Sequence, residues 1–450
     1  MIFSIITLFT ILRILFIRRM TMATMSRSVI LIFIVVLIIG DIGTLQLGVI
    51  TSRSALVFDY FQYWLIIMCL LIIILSIYPI YKDIYREHFS SLTISWVLNS
   101  NLVLSLSGRT NMVHFFMLFE ISIIPIFIII INWGYQPEKV KAAYALFFFT
   151  AVSASPLLVI ILLRNTYTLR SNVSVLSDFR SSRFYSRIQI IFFLTGFLVK
   201  LPVYGLHLWL PLAHVEAPVY GSMILAGILL KLGGLGMIRF SCYISCLNFN
   251  YIIVFTRLIG ILLVGGVCLQ STDLKKIIAF SSVAHIAFCI FLLIMKTKTR
   301  VWVGFRIFIV HAFSSSGMFF VVYYFYLETR SRNILINAGM LGRKPLLRLF
   351  WLATIIARLG APPSVNLLAE IWALIISFLV LYKFVIVLIL RFILGSCYHV
   401  ILYRRIIQGN SLWNSISVIW NSSSVRINFV SFLHLLLSTI PILVLRVYTF

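Results

Sequence analysis

Apolar stretches of about 20 residues recur along the whole chain, separated by short joints of polar and basic residues. The hydrocarbon core of a bilayer is about 30 Å thick, which a helix rising 1.5 Å per residue crosses in roughly 20 residues. Matching the apolar runs to their breakers predicts about fourteen spans, at roughly 2–17, 29–50, 60–81, 91–108, 111–132, 140–163, 187–209, 219–240, 251–270, 275–295, 303–327, 347–377, 381–403 and 428–447. No linker long enough to separate domains appears, the longest polar joints lying around 166–187 and 328–348. The fold class expected is an all-α polytopic membrane protein. Lys and Arg are divided too evenly between alternate loops for the positive-inside rule to set the orientation.

Two runs are interrupted at comparable places. One carries Lys200 followed by Pro202; the other carries Pro362 and Pro363 followed by Glu370. A proline lacks an N–H and strands the carbonyl four residues back, here those of Leu198, Arg358 and Leu359. Such open backbone is tolerated at membrane depth only inside protein or beside water. The two breaks lie about 160 residues apart, and so do the starts of the fourth and ninth predicted spans, a spacing that fits an internal repeat of the transporter kind. The organisation expected is N-terminal helices in 1–90, a first repeat in 91–250, a second in 251–405 and a C-terminal helix in 406–450.

Composition agrees, with 62% hydrophobic and only 11% charged residues and a mean hydropathy of +1.10. No water-soluble globular domain has that balance. The net charge of +26 raises nucleic acid binding as an idea, but the basic residues lie singly or in small groups between apolar runs. There they suit helix ends that snorkel toward lipid headgroups, and no soluble basic face is left to track phosphates, so no nucleic acid partner is expected. The cysteines, Cys69, Cys242, Cys246, Cys268, Cys289 and Cys397, sit mostly in apolar runs without the CxxC spacing of zinc or iron–sulfur sites, and are expected to pack rather than to ligate. No GxGxxG follows a strand and no haem ligand pattern occurs, so no cofactor and no metal is expected on this chain. Arg18 and Arg19 follow the first apolar run instead of preceding it, and no Arg-rich amphipathic leader is visible. Neither a secretory signal nor a transit peptide is expected.

Ionisable groups at mid-span cost about 2.5–3.5 kcal/mol each on insertion scales, so each needs a partner, water or a function. Glu120, in FFMLFEISIIPIF, precedes Pro125, whose freed carbonyl at Ile121 makes a polar notch. Lys200 stands at the first break, and a Glu120–Lys200 ion pair would satisfy both, either as a fastener of two helices or as a titrating pair. Lys231, in SMILAGILLKLGGLGMIRF, has no acidic partner in sequence, which favours a titrating lysine over a fixed one. The glycines after it, Gly233, Gly234 and Gly236, read as close helix packing and not as a nucleotide loop. His285, in FSSVAHIAF, and His311, in FIVHAFSSSGMFF, lie among hydroxyls that suit neutral imidazoles relaying protons, and equally suit packed, hydrogen-bonded histidines. Glu370 is the acid nearest the second break. His207, His214 and Glu216, in HLWLPLAHVEAP, lack a complete zinc ligand set and are expected to form a surface turn.

The strings FMLFEISIIP, GYQPEKVKAAYALFFFTAVSASPLL, LVKLPVYGLHLWLPLAHVEAPVYGSMILAGILLKLGGLGMIRF, STDLKKIIAFSSVAHIAF and APPSVNLLAEI resemble the subunit 4 family of mitochondrial NADH:ubiquinone oxidoreductase, complex I, over most of residues 90–375. That family is similar to the subunits of multisubunit sodium/proton antiporters. The resemblance implies fourteen helices with two inverted five-helix repeats that meet at broken helices. It also implies a line of buried residues that translocates protons: Glu120 and Lys200 as an input pair, Lys231 as the central carrier, His285 and His311 on the route and Glu370 as the terminal acid. It implies other membrane subunits of the complex as partners, adjacent antiporter-like subunits among them, in the mitochondrial inner membrane. NADH, FMN, iron–sulfur clusters and ubiquinone would be held by those partners. Two positions depart from the family pattern: Leu212 replaces the lysine usual before AHVEAP, and Arg358 stands where an uncharged polar residue normally precedes the double proline. Arg358 is expected not to pair directly with Glu370, since twelve residues of straight helix span about 18 Å. The rival expectations are a sodium/proton antiporter subunit of the same fold and a non-conducting scaffold.

Overall fold

The computed structural model describes residues 112–168, 187–239, 250–294, 298–340, 345–362, 364–380, 385–408 and 423–439, with the helical positions 64–65, 68–69, 71–73 and 75–76. The predicted spans at 2–17, 29–50 and 91–108 lie outside the described residues, and so do Cys242 and Cys246; the count of fourteen therefore falls partly outside them as well.

Within lipid a chain must satisfy its own backbone, and helices do so locally. The described elements are all helical: α1 (Met112–Ile121), α2 (Ile123–Trp133), α3 (Lys139–Thr168), α4 (Arg187–Lys200), α5 (Trp209–Glu216), α6 (Val219–Ile224), α7 (Leu230–Arg239), α8 (Asn250–Gln270), α9 (Leu274–Ile294), α10 (Lys298–Thr329), α11 (Pro345–Leu359), α12 (Val365–Val380), α13 (Val385–Ile407) and α14 (Ser423–Thr439). Among the described residues the β pairing is one isolated antiparallel bridge, Asp273 with Asn333, which ties the α8–α9 turn to the end of α10.

Six described segments are long and apolar enough to cross a membrane, among them the α1–α2 pair, 22 residues long, and the run from α6 through a π turn (Leu225–Leu229) into α7. Their burial sorts them. The apolar stretch of α10 is 94% buried, whereas those of α3 and α13 are 33% and 28% buried. α10 is thus the axis of the bundle, and α3 and α13 turn large apolar side chains such as Phe148, Val152, Ile386 and Val400 outward, where acyl chains or membrane partners can cover them. Cys69, Cys268 and Cys289 pack inside, while Cys397 faces outward on α13.

The runs at 187–209 and 347–377 are each divided, as the prolines require. α4 stops at Lys200 and α5 starts at Trp209, whose indole Nε1 donates to the Val199 carbonyl at 3.0 Å. α11 stops at Leu359, and Gly360 takes φ +69°, a conformation that closes a helix and that only glycine adopts without strain. The Arg358 carbonyl, stranded by Pro362, accepts from the Asn366 amide at 3.3 Å.

Of the segment 207–216, expected as a surface turn, residues 209–216 form helix α5, and His207, His214 and Glu216 are all buried. His214 and Glu216 are buried in α5, and the His214 ring stacks on Phe319 of α10 with centroids 4.7 Å apart. The carbonyls at the end of α5 are capped by cations from elsewhere in the chain: Lys275 Nζ donates to Ala217 O at 2.8 Å and Val215 O at 3.4 Å, and Arg332 also donates to Val215 O. Positive charge at a helix C-terminus offsets its dipole and its unpaired carbonyls, which lets this short helix stay inside.

Candidate functional site

α1 and α4 place the first pair. Lys200, the last residue of α4, meets Glu120 of α1 with Nζ to Oε1 at 2.8 Å. The same ammonium donates to the Phe119 carbonyl at 2.8 Å and lies 3.2 Å from the centroid of the Phe119 ring. Its charge is therefore met on three sides by a carboxylate, a carbonyl and a ring face. The carbonyl engaged is that of Phe119, two residues before the Ile121 carbonyl freed by Pro125. The carboxylate side of the pair is the more open, with 23% of the Glu120 side chain exposed against 8% for Lys200.

The second set lies around α10. Lys231, the second residue of α7, is buried directly after the π turn, a widened turn of the kind that recurs at functional sites. Its Nζ donates to Ala226 O in that turn at 2.5 Å and meets His311 Nδ1 of α10 at 2.9 Å. If lysine is protonated, Nδ1 accepts and the imidazole proton sits on Nε2; if lysine is neutral, Nδ1–H can donate to it. The contact survives either placement of the proton.

From His311 the line continues to His285 of α9, ring centroids 5.6 Å apart, and then to Glu370 of α12. His285 Nδ1 and Glu370 Oε1 are 3.7 Å apart, beyond hydrogen-bond range. Arg391 of α13 sits between them, its Nη2 3.3 Å from His285 Nδ1 and 3.4 Å from Glu370 Oε1. Since arginine only donates, His285 Nδ1 is the acceptor there. Asn366 Nδ2 donates to the same carboxylate oxygen at 3.0 Å. Gly360 leaves room for this acid, because a Cβ on it would stand 2.7 Å from Glu370 Oε2.

The six sequence-predicted residues thus fall into two groups: Glu120 with Lys200, and Lys231 with His311, His285 and Glu370. Packing joins the groups, since Gly233 lets Leu201 approach to 2.9 Å of a would-be Cβ, but among the described residues no side-chain bond links Lys200 to Lys231. Of the two departures, Leu212 is half exposed on the outer side of α5, away from the line. Arg358 is buried, and its Nη2 donates to Ser281 Oγ at 2.8 Å and Ser282 Oγ at 2.9 Å on α9 instead of pairing with Glu370.

Sequence reasoning missed Arg391 and Lys275. Arg391 stands inside an apolar run, the same signal that picked out Lys231. Lys275 is half of a Lys–Lys doublet at a helix start, which reads as surface; consecutive helical residues diverge, however, and Lys275 points inward while Lys276 is exposed.

Residues 109–395 match the family described as NADH:quinone oxidoreductase/Mrp antiporter, TM. NADH-ubiquinone oxidoreductase chain 4 of Ceratitis capitata is 35% identical over 391 residues, covering 84% of this chain and 84% of its own length. The protein of the same name from Locusta migratoria is 38% identical over 321 residues, covering 69% of this chain and 70% of its own. Among solved structures, a chain of respiratory complex I from Thermus thermophilus with bound NADH superposes with a TM-score of 0.80 at 16% identity, over 98% of this chain and 96% of that one, a likeness of fold.

Proposed function

The chain belongs to the NADH:quinone oxidoreductase/Mrp antiporter membrane family, and from that premise we propose that it is a proton-translocating membrane subunit of respiratory NADH:ubiquinone oxidoreductase. The observation that carries this reading is Lys231, a buried lysine bonded to a histidine rather than to a carboxylate, at the head of a line through His285 to Glu370. The buried lysines with structural work are held otherwise, Lys200 by the Glu120 carboxylate and Lys275 by the carbonyls at the end of α5. A lysine and an imidazole that keep their contact with one proton fewer are suited to exchange one.

In the mechanism, quinone reduction on partner subunits shifts charge along the membrane, the shift loosens or tightens the Glu120–Lys200 pair, and Lys231 takes up or releases a proton in response. His311 and His285 pass it on, and Glu370 receives it. Moving one charge against 100 mV takes about 2.3 kcal/mol. A change of one to two pKa units at one group is worth about 1.4–2.7 kcal/mol, which is the same scale. NADH, FMN, iron–sulfur clusters and ubiquinone belong to the partners, which include adjacent antiporter-like subunits, and the location is the mitochondrial inner membrane. Residues 91–250 and 251–405 act as two inverted repeats around the two breaks.

The family supports a second reading, a sodium/proton antiporter subunit driven by ion gradients. Purification through a tag on this chain in mild detergent separates the two. A particle with flavin and iron–sulfur absorbance that oxidises NADH is the expected outcome; a particle without them that exchanges sodium for protons in vesicles would contradict the proposal.

A further inference from the structure

At the Glu370 end of the proton line, α8, α9, α11, α12 and α13 line a pocket that includes His285, Arg358, Glu370, Arg391, Tyr398 and His399. Its charges do not balance. Arg358 and Arg391 are both buried guanidinium groups, which stay protonated in proteins, and the carboxylate set against them is Glu370 alone among the described residues that line the pocket. Ser281 and Ser282 meet Arg358 with hydroxyls, which carry no charge, and His285 meets Arg391 with a neutral lone pair.

Donors are left over as well. Arg358 Nε and Nη1 and Arg391 Nη1 are buried with no hydrogen-bond partner among the described residues. Glu370 serves none of the three; its Oε1 accepts from Asn366 and from Arg391 Nη2. Arg391 is held in place by ring faces, its guanidinium carbon 3.9 Å from the Phe288 centroid and 4.9 Å from that of Phe392, so it is positioned without a second anion among the described residues. A buried guanidinium with free N–H groups and no counter-charge is a strong attractor of anions.

We propose that this pocket binds a small monovalent inorganic anion of the chloride class between Arg358 and Arg391. With Glu370 ionised the surplus is one positive charge, so one negative charge closes it, and a divalent phosphate or sulfate would overshoot. The site accounts for Arg358, the charged departure from the family pattern, as an anion ligand and not as a component of the proton line. It does not depend on protons passing through the chain.

The test uses the intact membrane complex that contains this chain, crystallised with bromide in place of chloride, with anomalous diffraction collected at the bromine edge. A bromine peak is expected within about 4 Å of both guanidinium groups. Arg358→Met is expected to abolish that peak in a complex that still assembles, and Arg358→Lys to retain it. Three results would overturn the site: bromide bound elsewhere on the complex but not here, a partner's carboxylate seated between the arginines, or a peak unchanged in Arg358→Met. Should Arg358→Met fail to assemble, the wild-type map decides alone.

Discussion

At the scale of single residues, one rule of cost explains most of what is legible. A charge in the middle of an apolar run must be answered, and Glu120, Lys200, Lys231 and Glu370, the residues that break the runs, each meet a polar partner in the structure. What the rule does not say is who answers whom. Glu120 and Lys200 are 80 positions apart in different helices, and their 2.8 Å contact could be guessed only because each needed the other. The pair makes a testable claim about energy. Glu120→Gln leaves the Lys200 ammonium buried with a carbonyl and a ring face but no counter-charge, a loss of up to about 3 kcal/mol. The midpoint of thermal inactivation of the assembled complex is expected to fall, and adding Lys200→Met is expected to restore most of it because the orphaned charge goes too. If the double variant is as unstable as the sum of the two single ones, the residues are not coupled as drawn.

At the scale of elements, the prolines and glycines announced the breaks and the close packing, but not the local geometry. Pro202 and the Pro362–Pro363 pair predicted where helices stop; the bonds from Asn366 to the freed Arg358 carbonyl and from Trp209 to the Val199 carbonyl, next to the one Pro202 frees, depend on side chains that come round only when the segment folds. In the segment HLWLPLAHVEAP, expected as a surface turn, cations from residues 275 and 332 hold a buried helix instead. The π turn at 225–229 has no signature in Leu–Ala–Gly–Ile–Leu, because such a turn is a compromise among packed neighbours and not a local preference. The glycines allow a sharp comparison. A Cβ on Gly236 would run into the ring of Phe197, itself buried against Phe119, three residues before Lys200. Gly236→Ala is expected to destabilise the complex by about 1–3 kcal/mol in a thermal inactivation assay. Gly266→Ala, at a position with open space around it, should be neutral or slightly stabilising. Equal effects of the two substitutions would contradict the packing of α7 against α4.

At the scale of the whole molecule, burial and chemistry coincide. α10, the most enclosed span, carries His311 and Ser314, Ser315 and Ser316, and the helices that carry the other members of the line, α7, α9 and α12, all pack against it. The outer helices carry the apolar side chains that suit lipid. That division, a polar axis inside an apolar sleeve, is what a route for protons through a bilayer needs, and it turns on Lys231 changing its protonation during turnover. Arginine keeps a positive charge at that position but effectively never gives up its proton. The measurement is NADH-driven proton transfer into sealed vesicles that carry the assembled complex with Lys231→Arg, with Lys231→Met beside it. The account predicts that both variants lose proton transfer by roughly tenfold or more while the complex still assembles; proton transfer at the wild-type rate in Lys231→Arg would contradict it.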